Sequence, residues 1–237
     1  MIQASSVRRL GDLTQDQWGL VTRRQLEDAG FAPTTVERLT APGGVLERVS
    51  WGVYQLVGAP IPDHRDLRGA WLQLAPRLHA WERAPEQGVV SHRSAAELYG
   101  LGHLPADQHE FTVPARRQTR RPDVRIHVRS LHDSEWAGLG GLLATRPPRT
   151  AADLLRSRED PEAVAQVIAD ALRRGHASPG EFAAALAPCA AAHGLRRGDG
   201  MSVLQWLLDL TPDRDSSRWM NQARTPEQAV RITTAVP

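Results

Sequence analysis

Between residues 19 and 57 the spacing of apolar positions predicts two short helices, a tight turn between them and a two-stranded hairpin. Leu26 and Ala29 form the inner stripe of the first helix, which Thr22 opens with Gln25 three residues on, the pattern of a capping box. Gly30 ends it, because glycine tolerates the positive φ of a C-terminal cap. Pro33 suits the first turn of the next helix, where its missing N–H costs nothing. Val36 and Leu39 face inward on that helix, which leaves Thr34, Thr35, Glu37 and Arg38 outside. Pro42, Gly43 and Gly44 break it. VLERV and GVYQLV then alternate well enough to pair about a turn at Ser50, Trp51 and Gly52. Upstream, Val7, Leu10 and Leu13 predict a first helix against the weakening effect of Gly11, and LVT at 20–22 a very short strand beside the hairpin.

After Val57 the segment GAPIPDH has the glycine and proline content of a linker, placing a domain boundary near residue 60. Leu67, Ala70, Trp71, Leu74 and Leu78 then repeat at helical spacing until Pro76 ends or kinks the run. VVS at 89–91 predicts a buried strand end with Ser91 capping a helix whose inner face is Ala95, Leu98 and Leu101. HEFTV and DVRIHVR are the clearest strands, joined as a hairpin by PARRQTRRP, and Trp136 with GLLAT predicts another pair turning at 138–141. From Thr145 the pattern is helical: Val164, Val167, Ile168, Ala171 and Leu172 make a strong stripe, Ser178 with Glu181 a second capping box, and Asp199 a further cap. Beyond Pro212 periodicity is lost, and a poorly ordered tail is expected over 212–237.

Helix, turn, helix and hairpin is the plan of a winged helix-turn-helix, whose second helix enters a major groove. A small helical hairpin used for protein contacts is the alternative. On the DNA reading, Arg38 suits a guanine edge or a phosphate and the two threonines a phosphate or a thymine methyl, whereas Glu37 repels phosphate unless it accepts from a cytosine amine. On the wing, Arg48, Ser50 and Trp51 are the candidates, with Trp51 placed over the core in preference to sugar; Tyr54 is structural. A third group is the basic hairpin: Arg116, Arg117, Arg120, Arg121, Arg125 and Arg129 against the single Asp123, suited to DNA backbone or to plain solvation.

Charge refines this picture. All 29 basic residues are arginine, so every cation stays ionised and grips phosphate in two-pronged fashion. The net charge is only +2, and residues 1–60 carry six arginines against six acids. A neutral head binds duplex weakly without sequence preference, because phosphate neutralisation sets that affinity. No run approaches the roughly 18 apolar residues of a spanning helix, no signal peptide is evident, and the single Cys189 excludes an internal disulfide; a cytoplasmic, membrane-free protein is expected.

Signs of catalysis are few. The nine histidines never adopt a metal-ligand spacing, and Gly138, Gly140 and Gly141 lack the Lys and Ser/Thr of a phosphate loop. Ser91 and His92, with Asp153 further on, are discounted as a triad, since neighbouring side chains are expected to point apart. Arg149 and Asp153, four apart, are expected to tie a helix to the sheet or to form part of a partner surface. No cofactor, metal or enzymatic activity is expected.

LVTRRQLEDAGFAPTTVERL, ERVSWGVYQL, VVSHRSAAELYGL and LLATRPPRTAADLL, in that order, resemble the abortive-infection AbiEi antitoxin family over roughly residues 5–157, and the helical remainder to about residue 210 is similar to longer members. The resemblance implies a DNA-binding autorepressor acting on double-stranded DNA at its own promoter. It also implies the antitoxin of a type IV pair that counters a nucleotidyltransferase-like toxin without need of a stable complex. The chain departs from the pattern at Ala32-Pro33, where a hydroxyl cap is usual. The fold class expected is α+β: a winged helix-turn-helix over 1–60, a mixed α/β antitoxin-like domain over 61–211 ending in packed helices, and the tail. A stand-alone regulator whose second domain binds a ligand or protein is the alternative, and an enzyme modifying a toxin a remoter one.

Overall fold

The structure, a computed structural model, describes residues 4–211 and 213–224. It is α+β, with ten α-helices and two sheets among the described residues. Two compact units are formed, one running to Leu98 and resuming at Pro105–Arg146, the other made of Tyr99–Leu104 and the described residues from Pro147 onward. The first unit thus extends well past the linker expected near residue 60. No helix among the described residues is long and apolar enough to cross a membrane.

The first unit opens with α1 (Ala4–Thr14), β1 (Leu20–Thr22), α2 (Arg23–Asp28), α3 (Pro33–Leu39), β2 (Leu46–Ser50) and β3 (Val53–Leu56). The capping box forms as the sequence implies: Thr22 Oγ1 accepts from Gln25 N (3.1 Å) and Gln25 Oε1 from Thr22 N (2.9 Å). The three strands pair antiparallel in the order β1-β3-β2. Leu10, Val21, Leu26, Phe31, Val36, Leu39, Leu46 and Tyr54 close a core beneath them, each large apolar side chain there contributing about 1.5–3 kcal/mol relative to exposure.

Helix α4 (Arg65–Leu74) follows, with Trp71 fully buried and its indole N–H donating to the Gly88 carbonyl (2.7 Å). The second sheet contains β4 (Val89–Val90), β5 (His109–Val113), β6 (Val124–Val128), β7 (Trp136–Leu139) and β8 (Leu142–Thr145), in the order β6-β5-β4-β8-β7. Helix α5 (His92–Tyr99) starts directly after β4. Strands β7 and β8 turn through Gly140 and Gly141, both at positive φ, as a two-residue hairpin demands. A Cβ on Gly141 would lie 2.8 Å from the Trp18 ring, and the Gly140 carbonyl accepts from both Trp18 Nε1 (3.2 Å) and Arg68 Nη1 (2.7 Å). These contacts hold the two sheets in one unit. The Thr22 hydroxyl adds to them by donating to the Pro76 carbonyl, as does the Gln25 amide, which donates to that of Leu78 (3.0 Å).

β5 and β6 run parallel, not antiparallel. The expected basic hairpin is therefore a ten-residue strap, 114–123, that carries the chain back along the sheet. Five strand residues span about 16 Å, a distance ten extended residues cover easily.

The second unit packs α6 (Pro147–Arg156), α7 (Pro161–Arg173), α8 (Pro179–Leu186), α9 (Gly200–Leu210) and α10 (Ser216–Arg224). Asp160, Ser178 and Asp199 each accept a backbone N–H at a helix start. Helix α10 lies where a loose tail was expected; its polar composition hides two anchors, Trp219 and Met220, both buried. Residues 225–237, the rest of that expected tail, lie outside the described residues.

Candidate nucleic-acid interface

Helix α3 turns Val36 and Leu39 into the core and leaves Thr34, Glu37 and Arg38 exposed, with Thr35 half-buried. Pro33 occupies its first turn, and Ala32 supplies no side-chain cap. Neighbouring cations are mostly spent. Arg23 and Arg24 both pair with Glu27 (2.9 and 2.8 Å), Arg77 pairs with Asp28, and Arg9 donates to the Ala29 carbonyl. The bond to Arg23 holds the Glu27 carboxyl below its ordinary range, against a smaller opposing effect of burial. Among the described residues, Arg38 on α3 and Arg48 on β2 are exposed and have neither hydrogen bond nor ion pair. With Arg8 on α1, likewise exposed and without a partner, they are the cations the head has to offer a polyanion.

The rest of the hairpin departs from expectation. Trp51 does not cover the core: it is 78% exposed. It sits with Gly52 (φ +70°) in the turn between paired Ser50 and Val53, outside the ladder, so neither face of the sheet claims its ring. Its carbonyl is pinned by Gln73 Nε2 (3.1 Å). Ser50 turns its hydroxyl inward, shut off from solvent with no partner, while Tyr54 is buried as expected.

The six strap and strand arginines do not share a surface. Arg116, Arg117 and Arg120 are exposed on the strap. Arg121 clasps Asp123 through Nε (3.1 Å) and Nη2 (2.5 Å), a bond that lowers the pKa of Asp123. Arg125 and Arg129 alternate with Val124, Ile126 and Val128 along β6, so they project from the opposite face of the sheet to the one the strap covers. Strap, α4 and hairpin turn together enclose a groove of about 570 Å³ whose lining includes Trp51, Leu74, Arg120, Arg121 and Ile126.

One cluster escaped the sequence reading. His92, Glu110 and His127 bring their ligand atoms within 4.8 Å of one another. His127 Nε2 meets Glu110 Oε1 (3.0 Å), and Arg93 N donates to Glu110 Oε2 (2.9 Å), so Glu110 caps α5 where Ser91 was expected to. Burial alone would raise the Glu110 pKa; the His127 bond, the His92 charge and the Arg93 N–H outweigh it and lower it. Parallel pairing sets Thr112 opposite His127, which puts Glu110 and His127 on one face; only that register, invisible in the spacing, could have found the group. Its rings, however, stack face to face, centroids 3.5 Å apart and planes 15° from parallel. Imidazole lone pairs lie in the ring planes, so one ring must rotate before both nitrogens address a single ion at about 2.1 Å.

Ser91 and His92 do not point apart, because His92 takes a positive φ (+52°) that brings Nδ1 to 2.9 Å from Ser91 Oγ. Both are buried, leaving a would-be nucleophile no substrate access. Asp153 is clasped by Arg149 (2.8 Å) and Arg156 (2.9 Å) along its own helix; Arg149 and Asp153 are buried, which removes them from any partner surface.

No protein-family model matches the sequence, and no curated protein matches it significantly. Among solved structures the chain is similar to the RV2827C protein from Mycobacterium tuberculosis, at 18% identity and a TM-score of 0.54, over 96% of this chain and 84% of that one. At that identity the likeness concerns the fold.

Proposed function

We propose that this chain reads double-stranded DNA at its own promoter through α3, as a winged helix-turn-helix repressor, and serves as the antitoxin to a nucleotidyltransferase-like toxin. The observation that carries the DNA reading is the uncovered outer face of α3, with Thr34 and Arg38 in the open and Arg38 and Arg48, on α3 and the neighbouring hairpin, both unspent. A short helix that seats two apolar residues in a core and presents hydroxyls and a guanidinium outward suits major-groove readout. The antitoxin part rests on the four ordered segments that resemble the AbiEi family, and it needs no stable complex with the toxin.

The test is fluorescence anisotropy on duplexes spanning the region upstream of its own gene. Arg38→Ala should lower affinity by roughly tenfold and relax preference at one base position. Equal affinity for an unrelated duplex, or no change on Arg38→Ala, would refute the reading. Growth rescue on co-expression with the adjacent gene's product tests the antitoxin role separately. A regulator that also senses a small ligand is the second reading, favoured by the groove beside Trp51.

A further inference from the structure

That groove is not used by the α3 reading of a duplex. At about 570 Å³ it falls within the roughly 300–1,000 Å³ of small-molecule sites. Leu74, Val124 and Ile126 give it an apolar floor, and none of the residues lining it is acidic. Two kinds of group converge on it. The Trp51 indole stands free of any protein neighbour that would bury it, on a backbone fixed by Gln73 and by the Gly52 carbonyl, which accepts from Arg23 N. Around it are guanidiniums in unequal states. Arg120 is exposed without a partner, and Arg117 makes only a long bond to the Gln87 carbonyl (3.5 Å). Arg121 spends Nε and Nη2 on Asp123, leaving Nη1 shut off from solvent with no acceptor. A buried N–H of a cation with no acceptor is costly, so a ligand oxygen that draws the Arg121 guanidinium into the groove it lines gives that N–H an acceptor.

We propose that the groove binds a nucleoside 5′-phosphate, its base stacked on Trp51 and its phosphate held by Arg120 and Arg121. An indole face attracts any planar base, and arginines beside it supply the forked donors a phosphate prefers. A simple anion would leave the indole and the apolar floor unused, and an apolar ligand would leave Arg121 Nη1 unpaired. Bases within a duplex are stacked on one another, so the occupant is a free nucleotide or the terminal nucleotide of a single strand. Both present the same chemistry.

Calorimetric titration of the full chain with adenosine 5′-monophosphate, adenosine, inorganic phosphate and a short 5′-phosphorylated oligoadenylate separates these. The monophosphate should bind saturably, with adenosine and phosphate each weaker by roughly tenfold or more. Equal affinity for monophosphate and oligonucleotide marks a free-nucleotide site; much tighter oligonucleotide binding marks a strand end. Trp51→Ala should weaken the monophosphate by roughly tenfold while Trp51→Phe keeps most of the affinity. Arg120→Ala should erase the advantage of monophosphate over adenosine. Arg38→Ala, which impairs operator binding on the reading above, should leave monophosphate affinity unchanged, so the two ideas fail separately. Absence of binding to both monophosphate and oligonucleotide at millimolar concentration would overturn the proposal. So would adenosine binding as tightly as its phosphate, or Trp51→Ala without effect.

Discussion

Single residues decide more here than composition suggests. Asp170 on α7 is a case: its carboxylate accepts from Gly102 N (2.7 Å), Gln166 Nε2 (3.0 Å) and Arg173 Nη1 (2.6 Å). Burial would raise its pKa, but the Gly102, Arg173 and Gln166 bonds together outweigh that and lower it. A carboxyl with a lowered folded-state pKa contributes stability above its unfolded value of about 3.9, and loses it as pH falls through the lower folded value. Urea unfolding should therefore show Asp170→Asn costing about 1–3 kcal/mol at neutral pH and progressively less in acid. A penalty independent of pH would show that the charge is not what the site uses. Gly200 is decided by space alone: a Cβ there would lie 1.8 Å from the Ala183 carbonyl oxygen. Since that neighbour is backbone, Gly200→Ala should force α8 and α9 apart and lower the Tm by several degrees, at a cost of roughly 2–4 kcal/mol. Local rules of this kind were legible in the sequence. The Thr22–Gln25 and Ser178–Glu181 boxes need only residues three apart, and both formed. The exposure of Trp51 follows from its turn position and not from its apolar character, and nothing in the neighbours of His92 announces a positive φ.

At the scale of elements, the end of α4 shows how a buried cation can act as a cap. Arg83 donates to the carbonyls of Trp71 (2.5 Å), Leu72 (2.6 Å) and Ala75 (2.7 Å) and lies over the Trp71 ring at 4.5 Å. The last carbonyls of a helix have no partner within it and carry partial negative charge, so a guanidinium suits them without any carboxylate. Burial, helped by the charge of Arg117, pulls the Arg83 pKa down to about 9, yet leaves the group charged at neutral pH. Arg83→Met should cost about 3 kcal/mol by leaving buried carbonyls bare, and Arg83→Lys should recover little, because one ammonium cannot span three acceptors along a helix end. Full stability of Arg83→Met in thermal unfolding would show that water replaces the cap. The parallel pairing of β5 with β6 belongs to the same scale. Two clear strands and a polar link are all the sequence displays; whether the second strand runs with or against the first depends on long-range packing that alternation does not encode. Alternation along β6 splits the six arginines between two faces, and the strap that parallel pairing requires walls the Trp51 groove, so the part of the candidate site that was legible is the outer face of α3, where periodicity alone suffices.

For the molecule as a whole, the distribution of spent and unspent charge makes a quantitative demand on the proposed DNA binding. Twenty-nine arginines would suggest a strongly salt-dependent protein. In the head, however, Arg23, Arg24 and Arg77 are held by carboxylates, and Arg8, Arg38 and Arg48 are without partners. Each phosphate neutralised by a protein cation contributes about −0.9 to the slope of log affinity against log salt on duplex DNA. If Arg48 alone meets the backbone while Arg38 reads a base edge, the slope per protomer should be shallow, about −1, and most of the discrimination must come from base edges. Arg48→Ala should then reduce the slope by about one unit while weakening all sequences alike, the signature of a phosphate contact. Arg116→Ala with Arg117→Ala and Arg120→Ala should leave the slope where it was, because the strap serves the groove. A slope several units steeper that collapses when the strap is changed would move those arginines onto the duplex and leave Trp51 as a contact at its edge, with no room in the groove for a nucleotide of its own.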